Sequence, residues 1–243
     1  MILDAADFVF RAPKEAAFAR RVLIKPSAGC SLPHPMTTSR ETLAAVIEGI
    51  RRVSAADILI LERSAGEEPV HSIYESLSYD FPHTMLLDVD QCVPVAVENP
   101  LPKSYAASTF WIPSVILSCD FLITISPFKA AQGTGEFSIR NLLGLLPADK
   151  YPRDTKGLPL VNEGLSIDHL IADLYFTLPF DLGIVDGRKR LVSDSDIAQG
   201  EVKDFGKVFV GTPYEADTEA SLAAGVQTDY LHMIGHARVE QGG

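Results

Sequence analysis

Short apolar runs rich in Val, Ile and Leu recur along the chain, most of them ending in a charged residue and followed by turn chemistry and a helix-like segment. They are "RVLIKP" (21 to 26), "DILILE" (57 to 62), "HTMLLDVD" (83 to 90), "CDFLITIS" (119 to 126), "DLGIVDG" (181 to 187) and "KVFVG" (207 to 211). Runs of this length, bounded by turn residues, read as buried strands. Strands alternating with helices require crossover connections, and crossovers place neighbouring strands parallel. The expectation is one α/β domain over residues 1 to 243, with a largely parallel, possibly mixed sheet flanked by helices in Rossmann-like layers.

The helices are marked by their ends. In "TTSRETLAAVIEGIRR" (37 to 52), Thr37 or Thr38 is the expected N-cap, Glu41 completes a capping box with Thr38, and Leu43, Val46, Ile47 and Ile50 share a face. A short helix is expected around Val70 to Leu77, and "SIDHLIADLYFTL" (166 to 178) repeats the pattern with Ile167, Leu170, Ile171 and Leu174. "TPYEADTEASLAAG" opens with Thr212 as N-cap and Pro213 at the first helical position, and closes at Gly225. A last helix is expected to run to about Arg238, with a frayed tail. The segments near 92 to 114 and 148 to 165 show no clean period and read as insertions; the first would wander over the surface or form an edge hairpin.

Composition narrows the classes of function. Nearly half the residues are apolar (47%), enough for a sizeable core. The formal charge of -11 provides no long-range attraction for nucleic acid or anionic membranes, while a local pocket of lysines could still be positive. Cys30, Cys92 and Cys119 form no CxxC pair, so neither a zinc ribbon nor an iron-sulfur cluster is expected in this chain. The first residues carry acids where a signal peptide is basic, and no apolar run is long enough to span a bilayer. A cytoplasmic location is the expectation.

In open α/β sheets, ligands sit beyond the carboxyl ends of the strands. The residues there are Lys25, Glu62, Asp88 or Asp90, Lys129 and Asp186. Singly, each has the bland explanation that sheet edges are solvated. As a set facing one edge, Lys25 and Lys129 could neutralise a carboxylate or phosphate, and Glu62 or Asp186 could move a proton or hold a divalent cation. The run "KAAQGTGEFSIRNLLGLLP" adds Gly133, Thr134 and Gly135, which allow positive φ and close approach, and a helix start near Glu136 to Ser138 whose amides would face an anion. Arg140 and Asn141 follow. A buried Asn141 must hydrogen-bond, either bracing a loop or touching a ligand. Catalytic candidates are thus Glu62, Lys129 and Asp186, and ligand-binding candidates are Lys25, Gly133, Thr134, Gly135, Ser138, Arg140 and Asn141.

Other features carry less. His232 and His236 have the spacing of a metal pair but lack the glutamate of a zinc hydrolase. His34 lies among prolines near the expected crevice, as a proton donor or an exposed loop residue. Cys30 has no identified base, and no serine sits in a nucleophile elbow.

"VLIKPS", "ILILERS", "CDFLITISPFK", "RNLLGLLP", "HLIADLYFTLPFDLGIVDG" and "GTPYEADTEASLAAG", with the first helix, resemble in order the bacterial and archaeal domain of unknown function family numbered 362, from about Arg21 to Gly225. Lys25, Glu62, Lys129, Asn141, Asp186 and Asp217 match that family's pattern. Ser27 stands where the family has asparagine, Ala130 and Ala131 where it has threonine and histidine, and Arg140 where it has lysine. The resemblance implies an α/β domain, found in anaerobes and sometimes attached to a ferredoxin-like iron-sulfur module, and puts in doubt any chemistry that uses the missing histidine. Two expectations follow. One is an enzyme of unassigned reaction acting on a small anionic metabolite; the other is a non-catalytic accessory module with an iron-sulfur protein partner. A homo-oligomer is compatible with both.

Overall fold

The computed structural model describes residues 1–131, 134–154, 157–193 and 200–242. Its centre is an eight-stranded sheet. In chain order its strands are β1 (Ile2–Asp4), β2 (Arg21–Pro26), β3 (Asp57–Glu62), β4 (Thr84–Asp88), β7 (Phe121–Ala131), β8 (Thr134–Glu136), β9 (Leu182–Ser193) and β10 (Glu201–Gly211). Across the sheet they run β1-β10-β9-β7-β2-β3-β4, with β8 paired to β7. The central strands β4, β3, β2, β7 and β9 are parallel, whereas β10, β1 and β8 pair antiparallel. The sheet is therefore mixed and mostly parallel. A second sheet of two antiparallel strands, β5 (Pro94–Glu98) and β6 (Thr109–Pro113), forms the hairpin of the first irregular segment.

Side chains alternate across a strand, and both faces of this sheet are covered. On one face Val22, Ile24, Ile58, Ile60, Ile123 and Ile125 pack with Leu43, Val46, Ile47 and Ile50 of α1 (Arg40–Arg51) and Val70 and Tyr74 of α2 (Val70–Ser76). On the other, Leu23, Leu59 and Leu61 meet Leu142, Leu143 and Leu145 of a 3-10 segment (Arg140–Leu145), Leu170, Ile171 and Leu174 of α3 (Ile167–Thr177), and Tyr230 and Ile234 of α5 (Asp229–Gly242). Each fully buried Leu or Ile contributes about 1.5–3 kcal/mol. A third cluster joins Phe128, Phe137, Val185 and Phe209 with Ala220 of α4 (Pro213–Ala224).

α4 is bounded as expected, with Thr212 and Glu215 in a capping box, Pro213 at the start and Gly225 closing it at φ 69°. α1 differs: its N-cap is Ser39, whose Oγ accepts from the Thr42 amide. Thr38 is not free to cap, because its Oγ1 accepts from the Ser27 amide and donates to the Ile125 carbonyl, pinning the loop to the sheet. α5 runs past Arg238 to Gly242. The expected helix start at Glu136 to Ser138 is replaced by a hairpin in which Lys129 faces Glu136 and Ala130 faces Gly135, followed by the 3-10 segment.

A basic cleft at the carboxyl edge of the sheet

The chain leaves β2 for β3 and β4 on one side and returns through β7 and β9 on the other, so the strand order reverses between β2 and β7. Loops diverge at such a point and leave a crevice. β2 delivers Lys25 to it, β3 delivers Glu62, and β7 delivers Ser126 and Lys129.

Lys25 and Glu62 form a fully buried ion pair, Nζ to Oε2 2.8 Å. The other Lys25 hydrogens go to the Pro26 carbonyl at 2.8 Å and Asn141 Oδ1 at 3.1 Å. Glu62 Oε2 also accepts from the Ala28 amide, and Oε1 from the Arg63 amide. Asn141 Nδ2 spreads over the Lys25 and Ile125 carbonyls and Thr124 Oγ1. Burial pulls the Lys25 ammonium below its usual pKa, and Glu62 opposes that shift. Gly144 lies directly over the pair: a Cβ there would sit 2.8 Å from Glu62 Oε1 and 2.9 Å from Lys25 Nζ.

Above this floor opens a cleft of roughly 180 Å³. Among the described residues five basic side chains line it, Lys25, Arg63, Lys129, Arg140 and Arg153, against two acidic ones, Glu62 and Glu136, so they give it positive charge inside an acidic protein. Glu136 lies 3.6 Å from Lys129 Nζ and 3.4 Å from Arg140 Nε. Arg63 reaches Asp90 at 3.8 Å, and Arg153 donates to the carbonyls of Gly157 and Leu146. Burial lowers the pKa of both guanidinium groups; that of Arg153 falls to about 10, with the neighbouring Arg63 charge adding to the effect, and both stay charged at neutral pH. Three buried donors of the lining, Ser126 Oγ, Arg63 Nε and Arg153 Nε, have no hydrogen-bond partner among the described residues. Buried donors are rarely left unmatched, and a set of them in one cleft suits an acceptor-rich ligand.

The sequence profile of Domain of unknown function (DUF362) matches residues 22–220. The chain belongs to this family. No curated protein matches the sequence. Among solved structures, that of the lactate racemase apoprotein from Thermoanaerobacterium thermosaccharolyticum is similar, with a TM-score of 0.57 and 13% identity over 89% of this chain and 52% of that one. This chain thus spans about half the length of that protein, and the likeness is one of fold.

The whole lining of the cleft falls inside the DUF362 match. Of the residues singled out in the sequence, Lys25, Glu62, Lys129, Arg140 and Asn141 meet there. Gly133 lies outside the described residues. Thr134 and Gly135 belong to β8 and are not among the lining residues, and Gly135 has no positive φ. Its lack of a side chain admits the Phe137 ring instead, since a Cβ would come within 2.0 Å of it. Of the amides expected to face a ligand, that of Ser138 is taken by Asp217. Ser138 N and Oγ donate to Oδ1 at 2.8 and 2.5 Å, and Ile139 N and Tyr230 Oη to Oδ2, both at 2.9 Å.

Asp186 is fully buried outside the cleft lining, where it accepts from Ser39 N and Oγ and from Arg188 N. It ties α1 to β9, and it is not among the residues that line the cleft with Lys25, Glu62 and Lys129. Nearby, His34 Nε2 accepts from the Lys189 amide, which leaves Nδ1 to donate to the Thr37 carbonyl. Cys92 and Cys119 donate to backbone carbonyls, and burial raises both thiols. His236 is an exposed side chain of α5 beside Glu240. Among the described residues no group of three or more His, Cys, Asp or Glu could hold a metal ion.

Sequence inspection missed Arg63, Ser126 and Arg153. Arg63 stands one residue beyond Glu62, where a search widened by one position would have found it, and Ser126 closes "CDFLITIS" as an uncharged strand end. Arg153 lies in the second irregular segment, where nothing local marks it.

Proposed function

We propose that this DUF362 protein binds a small anionic metabolite in the cleft at the β2/β7 switch point. The observation that carries this is the excess of basic over acidic lining residues together with the unpartnered donors Ser126 Oγ, Arg63 Nε and Arg153 Nε. Lys129, Arg63, Arg140 and Arg153 neutralise the ligand. Lys25 and Glu62 hold the floor in shape, their polar atoms being committed to each other, to Asn141 and to the backbone.

An enzyme of this build acts by stabilising negative charge that develops on the bound molecule. Glu62 is not a free base in it, and Lys129 is a cleft cation with only long internal contacts, its Nζ lying 3.5 Å from the Met36 carbonyl and 3.6 Å from Glu136. The same commitment of Glu62 favours a second reading, a non-catalytic binding module whose chemistry belongs to a partner. Turnover by the isolated chain would remove that second reading.

Ser126→Ala tests the site. Because Ser126 Oγ has no partner to lose, the variant should keep wild-type thermal stability while anion affinity, measured by calorimetric titration with phosphate and short carboxylates, falls several-fold, as loss of about 1 kcal/mol would give. Unchanged affinity for every anion bound by the wild type would count against the cleft.

A further inference from the structure

The cations lining the cleft fall into two sets held by different elements. Lys129 and Arg140 come from the β7–β8 hairpin and the 3-10 segment, and they share one carboxylate, Glu136. Arg63 stands one residue past β3 and Arg153 lies in the second irregular segment, beyond the 3-10 segment; the carboxylates that face them from outside the lining are Asp90, 3.8 Å from Arg63, with Asp88 acting on Arg63 and Asp154 on Arg153. Asp90 is itself fixed by the Ala148 amide at 2.8 Å. Within the described lining Glu136 leaves the first set one positive charge, while the two guanidinium groups of the second meet no lining carboxylate but Glu62, which is paired with Lys25. Between them the Lys25–Glu62 floor is neutral as a pair.

Size is the second constraint. A dry cavity of about 150 Å³ takes a benzene ring, so the roughly 180 Å³ of this partly open cleft holds about six to ten non-hydrogen atoms of its ligand. We infer that the ligand carries two anionic groups on a short skeleton, as a dicarboxylate or a phosphorylated carboxylate does, one group met by Lys129 and Arg140 and the other by Arg63 and Arg153. This rests on the anion-binding reading above. A point charge from Lys129 and fixed guanidinium groups on both sides suit two planar or tetrahedral anions, and the Ser126 hydroxyl supplies a neutral donor to either.

The test is calorimetric titration of the intact chain with malonate, succinate, glutarate, adipate and phosphoglycolate. Acetate, propionate, butyrate, valerate, inorganic phosphate and ADP serve as comparisons. At least one dianion should bind about tenfold or more tighter than the monocarboxylate of matching length, and tighter than ADP. The tighter of the dicarboxylates and phosphoglycolate identifies which second anionic group the site takes. In Lys129→Met, Glu136 cancels the remaining Arg140 charge, so the preference for the dianion should shrink to within about threefold while monocarboxylate binding persists. Arg140→Gln should do the same from the other partner of Glu136.

Monocarboxylates binding as tightly as every dianion would overturn the two-anion assignment and leave the anion site standing. A preference that survives both variants, or ADP binding as tightly as every dianion, would overturn it equally. Failure of all the anions to bind, phosphate included, would overturn the site itself.

Discussion

Lys25 is a charged residue with no exposed surface, and its three hydrogens find three acceptors inside the protein. Such a pair adds little net stability, because desolvation of both charges offsets their attraction, but removing one member leaves the other buried and alone. Lys25→Met should therefore cost about 3–5 kcal/mol in chemical denaturation, and adding Glu62→Leu should recover much of that loss. A cost below about 1 kcal/mol for the single change would mean that Glu62 is not held as a buried anion. The sequence marked both residues as strand-end charges. It did not show that they meet, because parallel neighbours 37 positions apart are brought together only by register.

At the scale of elements, the segment after β7 is instructive. Closely spaced glycines before an apolar run suggested a loop and a helix N-terminus open to an anion. Among the described residues, two of these features have an internal use: Gly135 makes room for Phe137, and the amide of Ser138, with that of Ile139, serves Asp217 from α4. Gly144, which attracted no notice in "RNLLGLLP", is what lets the 3-10 segment lie on the Lys25–Glu62 pair. Gly144→Ala should push that segment off the pair and destabilise the fold by about 1–3 kcal/mol, read from the denaturation midpoint, with anion affinity reduced because Asn141 and Arg140 move with it. Wild-type stability in this variant would show that the contact is looser than the structure has it. Helix ends, by contrast, were legible where the capping chemistry is local, as in Thr212, Pro213, Glu215 and Gly225.

For the molecule as a whole, Asp217 links β8 and the 3-10 segment to α4 and α5. Burial pushes its carboxyl up to about 6, and donors from Ser138, Ile139 and Tyr230 offset part of that rise. A carboxyl whose pKa is higher in the folded than in the unfolded state is destabilised by ionisation. Its contribution to stability is thus greatest below the ordinary carboxylate range and is lost as pH rises from about 4 through about 6. Two pH units correspond to about 3 kcal/mol. Asp217→Asn should be less stable throughout, since an amide nitrogen faces donors, yet the gap to wild type should narrow over that window. Denaturation series at pH 4, 5, 6 and 7 measure it; a gap that widens with pH would contradict the shift.

The sequence by itself determined the alternation of apolar runs and capped helices, hence an α/β protein with charges at its strand ends, because those signals act over a few residues. Tertiary structure decided which charges share a cleft and which are spent inside the fold. It joined Lys25 to Glu62, set Asp186 under α1, gave the Ser138 amide to Asp217, and brought Arg63 and Arg153 beside Lys129 and Arg140 in one lining. The physical reason is that burial and pairing depend on strand order and register, and the reversal between β2 and β7 is a property of the whole sheet.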